Sequence, residues 1–131
     1  MARILVVEDE VLLRYVLAEW LRGEGHEVVE AVSGDEAAIV LSSMMTVDLV
    51  ITDVQRPGSL NGLQLARKIR AAVPSLPVIV VSGQPRPATF DEVGATAFFL
   101  KPYDLDALTA RVAALTPQRI APGKKRQSSD E

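Results

Sequence analysis

The chain has 131 residues, 48% hydrophobic and 24% charged, the balance of one soluble globular domain long enough to enclose a core. The net charge is −3; Arg119, Lys124, Lys125, Arg126, Asp130 and Glu131 give residues 119–131 a net +2, so the body before them carries −5 and offers no phosphate-neutralising surface for nucleic acid. Cysteine is absent, which excludes disulfide and thiol chemistry, and no apolar stretch approaches the ~18–20 residues of a membrane span.

The first strand is expected over 3–8, where Ile4-Leu5-Val6-Val7 ends in Glu8-Asp9, with no signal-peptide pattern before it. A helix over 10–23 carries Leu13, Val16, Leu17, Trp20 and Leu21 at helical spacing, and Gly23 and Gly25 end it. His26, the one histidine, falls in this Gly-rich turn and is expected to face solvent. A strand over 27–32 leads to a helix over 35–45, opened by the capping-box pattern of Ser33 with Glu36. The run Leu49-Val50-Ile51-Thr52, in a strand over 48–53, ends in Asp53, and a helix follows over 62–72.

The strand over 77–82, Val78-Ile79-Val80-Val81, ends in Ser82. Gln84-Pro85-Arg86-Pro87 then delays the fourth helix to 87–93, with Thr89 and Glu92 as its cap pattern before Gly94, so it is expected to be short. A last strand over 96–101 takes Phe98-Phe99-Leu100 into Lys101-Pro102. The fifth helix, over 104–115, is capped by Asp104 and carries Leu105, Leu108, Val112 and Leu115 on one face.

Strand and helix alternating five times imply βαβ units, right-handed crossovers and a parallel sheet. Ligands sit at the carboxyl ends of the strands in such sheets. Glu8, Asp9, Asp53, Ser82 and Lys101 all fall there: three carboxylates, a hydroxyl and an ammonium at one sheet edge.

This set, with Pro57 four residues after Asp53 and Gly83 after Ser82, resembles the receiver domain of bacterial two-component response regulators over roughly residues 2–116. The resemblance implies a flavodoxin-like doubly wound (βα)5 fold with strand order 2-1-3-4-5. It implies that Asp53 accepts a phosphoryl group and that Asp9 and Asp53 ligate Mg²⁺. Glu8 would act directly or through water, and the Gln55 backbone carbonyl completes the protein ligands. Lys101 would pair with the phosphoryl group, Ser82 and Phe98 would form the switch, and Pro102 is the candidate for a cis peptide bond.

The chemistry is coherent. An anionic nucleophile meeting an anionic donor needs its charge neutralised, and three mutually repelling carboxylates suit a hard, oxygen-seeking divalent cation. Three features depart from the family pattern. Glu8 stands where aspartate is commonest, the stretch Pro57-Gly58-Ser59-Leu60-Asn61-Gly62 is one residue longer than usual, and the fourth helix is short, which alters the usual output face.

The expectation is therefore a single-domain response regulator, residues 1–118, followed by a disordered polar tail over 119–131. It would be cytoplasmic and catalyse only its own phosphorylation and dephosphorylation. Its partners would be a histidine kinase or histidine phosphotransfer protein and a downstream protein target, with neither nucleic acid nor membrane among them. Oligomeric state, including a phosphorylation-dependent dimer, is left open. A constitutive, never-phosphorylated interaction module and a phosphate sink stand beside this reading. A metal-dependent hydrolase would need a further residue to activate water, and none is placed for it. If the tail is only solvated, deleting residues 119–131 should leave both phosphoryl uptake and melting temperature unchanged.

Overall fold

The computed structural model describes residues 2–54, 61–88 and 90–116. Its strands are Arg3–Val7 (β1), Glu27–Ala31 (β2), Leu49–Asp53 (β3), Val78–Ser82 (β4) and Ala97–Leu100 (β5). Its helices are Val11–Gly23 (α1), Gly34–Ser42 (α2), Gly62–Ala72 (α3), Phe90–Val93 (α4) and Leu105–Leu115 (α5). All neighbouring strands pair in parallel, in the order β2-β1-β3-β4-β5, which is the flavodoxin-like arrangement expected. Expectations for Gln55, Pro57, Thr89 and the tail after Thr116 lie outside the described residues.

β3 and β4 are buried along their whole length, as interior strands covered on both faces must be. The two-residue period splits each strand between two cores. Ile4, Val6, Ile51 and Ile79 pack with Leu17 and Leu21 of α1 and Leu108 and Val112 of α5. Leu5, Val7, Val50 and Val80 pack with Leu65 and Ile69 of α3 and Phe90 of α4. Each such side chain contributes about 1.5–3 kcal/mol by leaving water, so the sheet is the rigid platform on which the strand ends are held.

Two helices depart from their expected lengths. α2 stops at Ser42, where the Ser42 hydroxyl donates to the Ala38 carbonyl at 3.0 Å and the Ser43 hydroxyl to the Val40 carbonyl at 2.6 Å. Such bonds offer the backbone an alternative to further turns. α4 begins only at Phe90, whose N–H donates to the Pro87 carbonyl at 3.0 Å; Pro85 and Pro87 have no N–H to give an earlier turn. The expected Ser33–Glu36 box forms by half: Ser33 Oγ accepts from the Glu36 N–H, but Glu36 reaches back to the Val32 N–H rather than to that of Ser33.

The apolar face of α1 is only partly covered. Leu17, Ala18 and Leu21 are buried, whereas Leu13 and Val16 are 44% exposed and Trp20 38%. Trp20 is held at the α1–α5 junction by its indole N–H, which donates to Thr109 Oγ1 at 2.7 Å. Toward the start of α1 the face opens into a groove of about 450 Å³, lined by Leu12, Leu13, Val16, Pro102 and Tyr103.

His26 also corrects the sequence reading. It lies between α1 and β2, away from the strand carboxyl ends, and it is half-buried rather than solvent-facing. Its Nδ1 accepts the Ala2 N–H at 3.2 Å and so ties the start of β1. Gly25, at φ 95, makes the turn that brings the ring there. Burial holds the imidazole below its ordinary value of 6.5, with the Glu24 carboxylate opposing.

A cation acid depressed on folding leaves the unfolded chain binding more protons, so its stabilisation is present above the unfolded value and lost as pH falls through the folded one. Melting temperature should therefore fall as pH drops through the ordinary imidazole value of 6.5 and below it, and the fall should shrink in His26→Gln. An undiminished drop in that variant would show that other groups set the pH dependence.

Candidate functional site

Four strand ends converge on one cluster. Glu8 follows β1 and its N–H donates to the Ala31 carbonyl at the end of β2, 3.0 Å away. Asp53 and Ser82 are the last residues of β3 and β4, and Lys101 follows β5. The Lys101 ammonium bridges the two buried acids, with Nζ 2.8 Å from Asp53 Oδ2 and 3.1 Å from Glu8 Oε1. Carboxylate oxygens of Glu8, Asp9 and Asp53 lie within 4.8 Å of one another. Glu8 and Asp53 are buried, and Asp9 faces solvent. These residues are brought together as the sequence led one to expect.

Ser82 joins them from β4. Its Oγ accepts the Gln84 N–H at 3.0 Å, which leaves the hydroxyl proton available to donate. Its carbonyl accepts the Lys101 N–H at 2.7 Å, tying the ends of β4 and β5. The Lys101–Pro102 peptide bond is cis. Phe98 stands apart from the cluster: half-buried on β5, it meets Phe90 edge-on at 5.4 Å and 79°. Arg86 lies 4.8 Å above the Phe90 ring and pairs with Asp91 at 2.7 Å.

The charges do not balance. Burial is the largest influence on Glu8 and, with repulsion from Asp53, raises its carboxyl above the ordinary 4.5; the Glu10 N–H and Lys101 act the other way without prevailing. Burial alone would lower Lys101, but hydrogen bonds and charge from Asp53 and Glu8 outweigh it and leave the ammonium above 10.5. Three carboxylates against one ammonium leave an excess of two negative charges when all are ionised. An oxygen-ligated divalent cation matches that excess in charge and donor type, so Glu8, Asp9 and Asp53 fit such an ion.

Asp53 is positioned by more than its strand. The Val54 N–H donates to the Val81 carbonyl at 2.9 Å, and the Gly62 N–H to the Val54 carbonyl at 3.1 Å. α3 thus starts against the end of β3, and a Cβ at Gly62 would collide with the Asp53 carbonyl. Asn61 and Gln64 form a complete capping box there, each side chain accepting the other's backbone N–H at 2.9 Å. The Asn-x-x-Gln spacing was the sequence signal for this cap, and it went unread.

Comparison with known proteins agrees with this geometry. A family model for the response regulator receiver domain matches residues 4–113. The chain belongs to the response regulator receiver family. The two-component response regulator PhoP of Pseudomonas aeruginosa is 37% identical over 118 residues, 86% of this chain and 51% of that protein. A probable transcriptional regulatory protein of Picosynechococcus is 37% identical over 123 residues, 87% of this chain and 49% of that protein. The chain spans about half the length of the curated relatives it matches. Among solved structures, the response regulator protein TrrA of Thermotoga maritima, in complex with Mg²⁺ and BeF, has 34% identity and a TM-score of 0.79, covering 88% of this chain and 99% of that one. The receiver domain of the hybrid histidine kinase CckA has 40% identity and a TM-score of 0.71, covering 87% and 98%. Among the described residues, no helix of this receiver is long and apolar enough to cross a membrane.

Gly62→Ala should displace the start of α3 from the β3 end and destabilise the domain by about 1–3 kcal/mol, the scale of overpacking in a tight site. Chemical denaturation would measure this, and an unchanged midpoint would mean that α3 moves aside freely.

Proposed function

We propose that this receiver accepts a phosphoryl group on Asp53, with a divalent cation, from a histidine kinase or histidine phosphotransfer protein, and that the modification changes its affinity for a protein partner. The observation that carries the reading is the Lys101 ammonium at 2.8 Å from a buried Asp53 carboxylate, beside two further acids. Asp53 attacks phosphorus, a new oxygen–phosphorus bond forms, and the donor departs with the electron pair of its broken bond. Lys101 pairs with a phosphoryl oxygen, and Ser82 donates its free hydroxyl proton to another. Glu8, Asp9 and Asp53 would hold Mg²⁺, and the ion would supply positive charge to the transferred oxygens. TrrA, which was solved with Mg²⁺ and BeF, supports this ligand chemistry by likeness.

Hydrolysis of the acyl phosphate returns Asp53 to its carboxylate, so the chain turns over no second substrate. Phe98 is the aromatic partner of Ser82 in the switch. It rests against Phe90 of the four-residue α4, a short element with little of its own to hold it in place.

The donor approaches over α1. Val11, Leu12 and Tyr15 are 68%, 65% and 58% exposed there, and Leu12 lines the groove that also takes in Lys101. An apolar surface that reaches the reacting ammonium suits a helical donor that must place its phosphohistidine at Asp53.

Incubation with a small-molecule phosphodonor and Mg²⁺, read by intact mass, tests the reading. One phosphoryl adduct is expected, lost in Asp53→Ala and with EDTA. An adduct that persists in Asp53→Ala would refute the assignment of the acceptor. No adduct in folded protein, together with no heat of Mg²⁺ binding, would point to the constitutive module instead.

A further inference from the structure

Glu8 is held by four polar contacts, and one of them comes from a side chain outside the site. Its N–H donates to Ala31, its Oε2 accepts the Glu10 N–H at 3.1 Å, and its Oε1 accepts from Lys101. Its carbonyl accepts from Arg14 Nη1 of α1 at 2.9 Å. That carbonyl lies in the peptide plane shared with the Asp9 nitrogen, so fixing it fixes the direction in which the chain enters Asp9. Asp9 is exposed, so its placement rests on this backbone rather than on side-chain packing.

The arginine is itself braced. Its side chain is only 15% exposed, and its Nε donates to Glu30 Oε1 on β2 at 3.1 Å. The other Glu30 oxygen pairs with Arg22 at 3.1 Å, and Arg22 also donates to the Val28 carbonyl. One guanidinium therefore ties α1, the end of β1 and β2 together. Only a fork with separate donors reaches both the carbonyl and the carboxylate; a lysine ammonium would serve one well.

We propose that Arg14 is a positioning residue for the cation site: by holding the Glu8 carbonyl it presents the Asp9 carboxylate to the metal. The proposal rests on the divalent-cation reading above. It gives the contact between Arg14 and the Glu8 carbonyl a part in the chemistry, while the α1–β2 ion pairs serve stability.

Calorimetric titration of Mg²⁺ into the full chain and into Arg14→Met, Arg14→Lys and Glu30→Gln tests it, with melting temperature measured beside each. Arg14→Met keeps the apolar stem and removes the fork. It should weaken Mg²⁺ binding about tenfold, the low end of what groups that orient metal ligands contribute. Arg14→Lys should lose less. Glu30→Gln removes the ion pairs with Arg14 and Arg22 but not the carbonyl contact, so its melting temperature should fall while its affinity stays near that of the natural chain.

Natural-chain affinity in a folded Arg14→Met would overturn the positioning role and leave the cation reading intact. If Arg14→Met does not fold, natural-chain affinity in a folded Arg14→Ala, which has no donor for the Glu8 carbonyl, overturns it equally. A natural chain that binds no Mg²⁺ would refute the cation reading and the role of Arg14 with it.

Discussion

The arrangement turns on one ammonium set between two buried carboxylates. A parallel sheet carries every strand's carboxyl end to the same edge, so acids placed after β1 and β3 meet whatever their separation in sequence. Two like charges about 4 Å apart repel by about 4 kcal/mol at the effective dielectric near a protein surface. A domain of this kind is stable by about 5–15 kcal/mol in all, so repulsion on that scale has to be offset. Lys101 offsets part of it with two short contacts, while burial first and repulsion from Asp53 second keep the Glu8 carboxyl above its ordinary value. The fold thus spends stability to keep a negative pocket, and its excess negative charge is what suits the pocket to a divalent cation.

What could be read in the sequence was local. Four of the five strands ended where an apolar run met Glu8, Asp53, Ser82 or Lys101, because a charge or a turn residue does not readily continue a buried strand. Strand ends and cluster therefore came together. Contacts between elements remote in sequence were not legible. Spacing placed Leu13, Val16 and Trp20 on one helix face but could not show that the cover over α1 stops at Leu17. A lone histidine between Gly25 and Glu27 looked solvated because its partner, the Ala2 N–H, is 24 residues away. Gly62 was seen as part of a loop pattern, while the reason for it, the Asp53 carbonyl, belongs to another strand. Arg14 looked like any helix cation until β2 and the Glu8 carbonyl were beside it.

The two sides of the site differ in stiffness, and the difference suits a switch. On the β1 side, Glu8 is held by four contacts and α1 is tied to β2 by arginines. On the β4 side, Ser82 leads into a proline-interrupted stretch and a helix of one turn. A short helix has little intrinsic stability, so its place depends on packing, here chiefly Phe90 and Val93 against the sheet. On the proposed reading, a new charge at Asp53 that draws on the Ser82 hydroxyl would pull on the pliant side and not on the braced one.

The same asymmetry bears on what moves with Ser82. Its carbonyl is bonded to the Lys101 N–H at 2.7 Å, so the ends of β4 and β5 shift as a pair if they shift at all. Phe98 of β5 meets the Phe90 ring edge-on, and Arg86 lies over that same ring while held by Asp91. The Arg86–Asp91 pair is exposed on both sides and contributes little by itself. The aromatic contact beneath it is therefore the stronger link between the acid cluster and the outer surface of the domain. On the proposed reading, the shortening of α4 leaves that link close to solvent, where a partner would meet the consequence of phosphorylation as a change in one aromatic pair rather than as the movement of a long helix.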